Sequence, residues 1–426
     1  MTLRWQQGVA GPARLRLTVA FDARENARLL VRESSRGDVL GEFDIRFAYP
    51  FQPFDLELTE RQAEAAAEQG VTLELVEGFG PLWFFSGAPS EVGGSLLPHL
   101  RRNVYPSESC FTEAIRSLAA AQPFGWMEGC VMDGLHQRAR LLRSQTDRIA
   151  LERHIQAYFD HRDTPRYVPH TDAPVRHGSE GLLPFAVLAQ YDRSHPSFQG
   201  MLEFCQTAAV SGVIRDGQVT TAEGCYTLAY PLAVLGVVRD DHRLRDLAVG
   251  QLLHRIERLV GRGVLYLRAA DTGARTFPNW ARGLAWFALG IIRTVDALPA
   301  EEVPPPVIEA FRWCAELALK WQHPTGLWSC FIDQPETGIE ASGSAGIAAA
   351  LTVGARLLPD PARALRAARA AHGALLSRHL VPGGFLGTVS QANRDGERLQ
   401  RSGYRVIGHF GAGLLAQLDA ALRVSA

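Results

Sequence analysis

The stretch Trp321–Gly346 reads WQHPTGLWSCFIDQPETGIEASGSAG and runs from the end of one predicted amphipathic helix into the start of the next. Loops of this length in a compact domain are usually functional, and this one is rich in Trp, His, Pro and Gly. The small residues 341–346 then open a helix almost without side-chain bulk. Such a start suits a backbone that closely approaches a ligand or another helix, and the sequence leaves both interpretations open.

The composition is that of an ordinary folded protein with one large domain or two smaller ones. The 426 residues are 46% hydrophobic and 21% charged, and the net charge is −1. This balance gives no indication of nucleic-acid or membrane binding. No apolar run is long enough to cross a bilayer, and no signal peptide is visible. Six scattered cysteines without a C-x-x-C spacing predict reduced core thiols in a cytoplasmic protein.

The first hundred residues differ from the rest because their apolar side chains recur with period two. The alternation is found in residues 14–21, 27–33, 42–47, 71–76 and 82–85. It predicts a small antiparallel, sandwich-like β domain over residues 1–100. A short helix is predicted over 59–68.

From residue 106 to 426 the pattern is helical, in twelve segments: 107–121, 127–145, 147–160, 178–193, 197–212, 222–237, 241–261, 279–296, 303–322, 341–357, 360–379 and 403–423. Links into odd-numbered helices are short, and links into most even-numbered helices are long. Short links produce antiparallel helix hairpins. Six hairpins predict a mostly α protein, an (α/α)6 toroid of twelve helices preceded by the β domain.

This topology has a consequence for function. The even-numbered helices would form the inner layer and run in one direction, so that their N-termini and the long loops before them gather at one end. Those starts carry acids, aromatics, Arg and His, a composition typical of a sugar-binding pocket.

Glu128, Glu180 and Glu223 share one local pattern, a glutamate followed by glycine at the start of a predicted inner helix. The helix dipole alone favours an acid there, but the glycine costs helix stability and would clear space beside the carboxylate. Glycosidic chemistry needs two groups that handle protons. Glu180 and Glu223 lie on successive inner helices and are the candidate catalytic pair, and Glu128 is a candidate for substrate binding.

Arg282 and Trp286 are four residues apart and share one helix face. Arginine offers a fork that fits a carboxylate, and tryptophan offers a flat wall to a sugar ring. A surface arginine beside a core tryptophan would have the same spacing. The other substrate-binding candidates lie in the same helix starts and loops, where core packing or structural hydrogen bonds are the alternative: His177, Tyr226, Trp280, His323, Trp328, Glu340, Ser342 and Tyr404. No metal-ligand spacing or nucleotide-binding motif is present, so no metal or cofactor is expected.

The helical region resembles glycoside hydrolase families 88 and 105, the unsaturated uronyl hydrolases of (α/α)6 fold. The motifs that carry the resemblance are NWARGLAW (279–286), GLW with a later Asp (326–333), EASGSA (340–345) and EGCYTLAYPL (223–232). It covers about residues 106–426. It implies a uronic acid in the site, with Arg282 binding its carboxylate and Trp286 stacking on its ring.

The sequence also departs from that pattern. Families 88 and 105 have aspartate in the two catalytic places, where this chain has Glu180 and Glu223. Ala285 replaces a glycine of the tryptophan–arginine motif, and members generally lack a β domain like that of residues 1–97. With these features the chain looks more like the related family 154, which includes β-glucuronidases.

The function predicted is removal of a terminal glucuronic-type residue from an oligosaccharide, with the saturated β-glucuronide placed first and the 4,5-unsaturated uronide second. The same toroid supports sugar epimerases and polysaccharide lyases. An epimerase would use histidine pairs such as His177 with His323 or His409, and a lyase would use Tyr226 or Tyr404 as base. A non-catalytic carbohydrate-binding protein is the third alternative. The expected partner is a uronic-acid-containing oligosaccharide, without nucleic acid or membrane, and a homo-oligomer is left open.

Overall fold

The structure, a computed structural model, describes residues 1–5, 9–22, 25–78, 80–87, 95–159 and 164–425. Its N-terminal part contains two antiparallel sheets with strand orders β1-β6-β3-β4 and β5-β2-β7. The strands are β1 Thr2–Leu3, β2 Ala13–Thr18, β3 Asn26–Glu33, β4 Val39–Arg46, β5 Pro53–Leu58, β6 Val71–Glu77 and β7 His99–Arg102. In β3 the buried and less buried side chains alternate, as the period-two pattern predicts.

The predicted short helix is present as α1, Glu60–Gln69. A capping box starts it, because the Thr59 side chain accepts from the Gln62 backbone while the Gln62 side chain accepts from the Thr59 N–H. The strand predicted over residues 82–85 is wrong, since this segment makes a single bridge between Phe84 and Val19. Strand β5 was not among the predicted strands; it begins with a proline, which is tolerated at the first residue of a strand.

In the described part of the C-terminal region, a helix is found for every one of the twelve predicted segments, and three of them begin five to eight residues later than predicted, at Leu183, Tyr230 and His409. The twelve helices are α2 Glu108–Arg116, α3 Trp126–Leu141, α4 Gln145–Phe159, α5 Leu183–Tyr191, α6 Phe198–Ala208, α7 Tyr230–Val238, α8 His242–Leu259, α9 Ala281–Ala297, α10 Pro305–Lys320, α11 Ala341–Val353, α12 Pro361–Arg378 and α14 His409–Val424. A short extra helix, α13 Gly396–Arg401, lies in the last long link.

Six helices form a closed inner ring in the order α3, α5, α7, α9, α11 and α14, and α14 packs back on α3. The other six lie outside them, so the predicted (α/α)6 toroid is confirmed. The inner helices are buried on all sides; α11, for example, is buried from Ala341 to Thr352. A helix that touches the ring on one side and an outer helix on the other must be apolar all round.

The small residues at the start of α11 serve a helix crossing. A Cβ on Gly343 would come within 2.8 Å of Ala281, and a Cβ on Gly346 within 2.6 Å of Ala285. Helices α9 and α11 can approach this closely because neither side has bulk there. Of the two interpretations that the sequence left open, the structure supports close approach to another helix.

The long links before the inner helices contain small antiparallel sheets. The strands are β8 Ala209–Val210, β9 Val213–Ile214, β10 Val219–Thr221, β11 Val260–Gly261, β12 Val264–Ala270, β13 Arg275–Pro278, β14 Ser329–Phe331, β15 Gln334–Ile339, β16 Val389–Ser390 and β17 Arg405–Val406. They pair within the barrel end where the inner helices begin, which we call the N-terminal end of the barrel. None of the helices in the described segments has the length and apolar character that a bilayer crossing requires.

Candidate functional site

The starts of the inner helices meet at the N-terminal end of the barrel. A Cβ on Gly125, just before α3, would lie 3.3 Å from the backbone oxygen of Glu180, just before α5. The rings of Trp126 and Phe410, at the starts of α3 and α14, are 4.8 Å apart. The guanidinium of Arg282, in the first turn of α9, lies 5.2 Å from the Phe410 ring. The helix starts that the sequence analysis grouped are therefore neighbours in space.

Glu180 and Glu223 are held near one another by the side chain of Thr227. Its hydroxyl lies within hydrogen-bonding distance of the carbonyl of Ser179, at 2.7 Å, and of the carbonyl of Glu223, at 3.1 Å. One side chain thus links the residue preceding Glu180 to Glu223 itself. This link ties the backbone before Glu180 to the backbone at Glu223.

Directly after Glu223 the chain makes a π-helical turn, Cys225–Ala229, before α7 begins. Pro231 lacks the N–H that would bond the carbonyl of Thr227 in a regular α-helix. Single π turns of this kind are frequent at functional sites, because they redirect the side chains around them.

The two carboxyl groups differ in their surroundings. Glu223 is 6% exposed, and its Oε2 has no hydrogen-bond partner within the described structure. Burial raises the pKa of Glu223, the charge of Glu180 raises it further, and Arg268 and Arg282 oppose the rise, which leaves the pKa at about 8. Burial also raises the pKa of the half-buried Glu180, while Arg268 lowers it. Glu223 therefore keeps its proton near neutral pH.

Arg268 is a residue of this site that the sequence analysis missed. It lies on β12, where it pairs with Thr221 of β10, two residues before Glu223. Its guanidinium lies 5.7 Å from the Phe277 ring and makes no hydrogen bond to other described residues. Its charge acts on both glutamates. The period-two pattern of VLYLRAA (264–270) could have indicated the strand within the long link.

Glu128, in contrast, belongs to the helix packing. It is fully buried and accepts from the backbone N–H of Gln122 at 2.8 Å and from the Tyr158 hydroxyl at 3.1 Å. Nδ1 of His154, on outer helix α4, lies 2.7 Å from its other oxygen. Burial raises its pKa and His154 lowers it. All its acceptor capacity serves the joint between α3 and α4, so the expectation that it binds substrate is not met.

The glycines after Glu128 and Glu223 are explained by packing rather than by space beside a carboxylate. A Cβ on Gly129 would come within 2.5 Å of Leu183 on α5, and one on Gly224 would collide with the buried guanidinium of Arg255. That arginine donates to the carbonyls of Thr221 and Ile214 and holds the strands before Glu223 in place.

Arg282 and Trp286 are both buried, at 2% and 3% exposure. The terminal nitrogens of Arg282 donate to the carbonyls of Ser390, at 2.6 Å, and Gln391, at 2.9 Å. It therefore positions the 389–391 segment, and its fork is not free for a carboxylate as the sequence predicted. Trp286 stacks on Tyr226 at 6.1 Å. A stacking wall for a sugar is not formed by Trp286.

Trp126 is more exposed than Trp286 and is therefore more accessible for stacking on a ligand ring. It is half-buried, lies edge-on to Trp286 at 5.6 Å, and retains exposed surface at the N-terminal end of the barrel. Trp280, in contrast, is 1% exposed and packs under the Arg282 guanidinium at 4.5 Å.

The residues of the opening stretch turn out to be structural. Glu340 is the N-cap of α11, and it accepts from the backbone N–H groups of Ser342 and Gly343 and from the Ser342 hydroxyl. Trp328 has no exposed surface, and its indole N–H donates to the carbonyl of Ala318 at 2.8 Å. Neither Trp328, Glu340 nor Ser342 presents a group to a ligand, because cap and core use them completely.

Two tyrosines among the candidates are also satisfied within the protein. The buried Tyr226 hydroxyl donates to Asp133, and Gln417 donates to it at 2.9 Å. The Tyr404 hydroxyl donates to the carbonyl of Asp44 at 2.8 Å and so joins the barrel to the β domain. Both hydroxyls serve contacts between elements.

The histidines lie apart from one another. His177 packs beside Gly200 of outer helix α6, because a Cβ added to that glycine would lie 3.0 Å from the histidine Nε2. His323 sits in a turn, with its Nδ1 3.0 Å from the Thr325 hydroxyl, and the same turn packs on outer helix α12 through Gly326. His409 is buried near Gln122, and burial lowers its pKa to about 3. Across the described segments, no three His, Cys, Asp or Glu side chains are grouped as a metal ion would need.

Known proteins resemble this chain in its helical barrel. The sequence model of Glycosyl Hydrolase Family 88 matches residues 260–420. The unsaturated rhamnogalacturonyl hydrolase YesR of Bacillus subtilis is 34% identical over 100 residues, which are 22% of this chain and 28% of that protein. The chain thus matches little more than a quarter of that relative's length.

Solved structures share the fold at low identity. A possible family 105 member from Salmonella enterica serovar Paratyphi A superposes with a TM-score of 0.64 at 16% identity, over 80% of this chain and 100% of that one. An unsaturated glucuronyl hydrolase from Bacillus sp. GL1 gives 0.54 at 17% identity, over 74% and 94%. The resemblance to families 88 and 105 is confirmed, and the likeness to family 154 stays a prediction.

Proposed function

We propose that this protein is a glycoside hydrolase that removes a terminal uronyl residue from oligosaccharides, with a 4,5-unsaturated uronide as the first candidate substrate. One observation carries the proposal. The buried Oε2 of Glu223 has no hydrogen-bond partner among the described residues, the pKa of this carboxyl group is raised to about 8, and Glu180 is close enough for its charge to contribute to that rise. Two carboxyl groups, one protonated, are what this class of hydrolysis requires.

In the proposed reaction Glu223 is the acid. It adds its proton to carbon 4 of the vinyl ether, and the ring oxygen stabilises the cation at carbon 5. Water adds to carbon 5 and gives its proton to the Glu180 carboxylate. The resulting hemiketal opens to a hemiacetal at the anomeric carbon, which releases the alcohol, and Glu223 is reprotonated by the proton that Glu180 received.

Arg268 is the group that we assign to the carboxylate of the uronyl residue. Its guanidinium is half-buried, makes no hydrogen bond to the described residues and lies within electrostatic reach of both glutamates. A planar fork in this setting fits a carboxylate. Trp126 provides the aromatic surface for the sugar ring. These two residues take the roles that the sequence analysis gave to Arg282 and Trp286.

We rank the two substrates by what the similar proteins are named for. The matching protein from Bacillus subtilis and the Bacillus sp. GL1 structure are both named as hydrolases of unsaturated uronides. The saturated β-glucuronide, which the sequence analysis placed first, is therefore the second candidate.

We rank the other classes lower on the contacts of the described residues. For an epimerase, His177 packs beside outer helix α6, the turn that contains His323 packs on outer helix α12, and His409 is buried. The tyrosines of a lyase have hydroxyls engaged with Asp133 and the Asp44 carbonyl. A purely sugar-binding protein has no need of a protonated carboxyl without a partner.

The test is incubation of the purified protein with two substrates. The first is an unsaturated uronyl disaccharide, followed by loss of its alkene absorbance, and the second is a chromogenic β-glucuronide. We expect loss of the alkene. Release of the chromophore alone would restore the saturated substrate to first place, and silence on both would reject the proposal.

A further inference from the structure

The loop between β4 and β5, residues 46–52, leaves the β domain and lies on the N-terminal end of the barrel. Gln391, at the end of β16, fastens it there: its side-chain amide donates to the carbonyl of Arg46 at 2.8 Å and to the Gln52 side chain at 3.1 Å. The Tyr404 hydroxyl accepts from the backbone N–H of Arg46. The β domain thus reaches the end of the barrel where Glu180 and Glu223 lie.

At the centre of this loop, Tyr49 is 4% exposed, and its hydroxyl is buried without a hydrogen-bond partner in the described structure. A buried polar group is normally satisfied, so an exception needs an explanation. Its backbone is well held, because its N–H donates to the Gln52 side chain. The ring is therefore placed firmly while the hydroxyl is left free.

Arg282 relates the loop that carries Tyr49 to the proposed sugar site. Its guanidinium donates to the carbonyl of Gln391, whose side chain holds the loop. The same guanidinium lies 5.9 Å from the ring of Trp126, the aromatic surface assigned to the sugar. The contacts therefore run from the loop of the β domain through Gln391 and Arg282 to Trp126, and the charge of Arg282 lowers the pKa of both Tyr49 and Glu223.

The backbone on either side of Tyr49 is strained. Phe47 and Phe51 have φ angles of 50° and 67°, in the left-handed region that bulky side chains rarely adopt. Such strain persists where the surrounding structure imposes it, and it clusters at ligand-binding sites. Here the two strained residues flank Tyr49 in the loop that Gln391 fastens to the barrel.

We propose that Tyr49 is a substrate-binding residue supplied by the β domain, and that its free hydroxyl donates a hydrogen bond to an oxygen of the uronyl residue beside Glu223. This inference rests on the proposed function and deepens it. It gives the β domain a role in recognition as well as in bracing the barrel.

The test is Tyr49→Phe, which removes the hydroxyl and keeps the ring. With the unsaturated uronyl disaccharide, KM is expected to rise about 10-fold with a smaller change in kcat, as expected when one hydrogen bond to a ligand is lost. The melting temperature is expected to stay constant or rise, because the lost hydroxyl has no partner in the free protein. Tyr191→Phe, at the opposite end of the barrel on α5, is the matched control and should leave both values unchanged.

Binding in an inactive background separates the two proposals. The Kd of the disaccharide is measured by calorimetry for Glu223→Gln and for Glu223→Gln with Tyr49→Phe, and the second variant is expected to bind about 10-fold more weakly. Equal Kd values, or a KM increase that follows a fall in melting temperature, would overturn the role of Tyr49 alone. Absence of both turnover by the wild type and binding by Glu223→Gln would overturn the proposed function, and the Tyr49 role with it.

Discussion

Two buried glutamates, Glu128 and Glu223, each precede a glycine at the start of an inner helix, and they differ in what surrounds their carboxyl groups. Glu128 has donors from Gln122, Tyr158 and His154 around it. Glu223 has an oxygen without a partner. Burial raises the pKa of both, so burial does not distinguish them. The comparison teaches that a satisfied acid holds helices together, and that an unsatisfied one is available to exchange a proton with a ligand.

The largest expected effect is on turnover. Glu223→Gln keeps the shape of the side chain and removes its proton, so kcat should fall about 10³-fold, within the range of general acid catalysis. Circular dichroism should show an unchanged fold. Steady-state kinetics on the uronide substrate provides the measurement. A Glu128→Gln variant that is folded and equally inactive would break the comparison.

The second effect is on the free energy of unfolding. Here the substitution at Glu128 is expected to cost more than the substitution at Glu223. In Glu128→Gln an amide N–H₂ must face at least one of the donors that the carboxylate accepted from. Such a buried mismatch costs about 1–3 kcal/mol. Urea unfolding at pH 7 measures it through the midpoint and slope. A midpoint equal to that of the wild type would mean that Glu128 does not hold the joint between α3 and α4.

The third effect is a pH-dependent gain in stability in Glu223→Gln. The folded pKa of about 8 lies above the ordinary value of 4.5, so the folded state binds more protons between these values and wild-type stability falls as pH rises. The glutamine variant does not titrate. Its advantage should be near zero at pH 4.5 and reach about 4 kcal/mol at pH 8. Melting temperatures across this pH range would show it, and a constant difference would contradict it.

The smallest effect sharpens the electrostatic part of the comparison. Arg268 lowers the pKa of Glu223 and is not among the groups that act on Glu128. Arg268→Met should therefore move the alkaline limb of the pH–rate profile upwards, because the acid holds its proton longer. Loss of the cation should also reduce kcat/KM about 10-fold, a typical value for a charged hydrogen bond. Arg275→Met, an exposed arginine on neighbouring β13, is the control and should shift neither.

Much of the fold could be predicted because it depends on local properties of the chain. The spacing of apolar residues defined twelve helices, and short links paired them into hairpins. Boundaries shifted where turn chemistry decided them. The helix predicted from 178 begins at Leu183, so Glu180 lies in the loop before it. The strands of the long links were missed because two to seven residues carry little periodic signal.

The sequence by itself determined the ring of paired helices, the end at which the unusual helix starts gather, and three glutamates of equal appearance. Only the tertiary structure decided which of them are satisfied. The partners of Glu128 come from Gln122 and from outer helix α4, while Glu223 faces Arg268 from a strand 45 residues later. The tertiary structure also pairs the Arg282 guanidinium with the carbonyls of Ser390 and Gln391. Gln391 in turn holds the loop that carries Tyr49. Desolvation and hydrogen-bond partners depend on segments that packing brings together, and no local pattern encodes them.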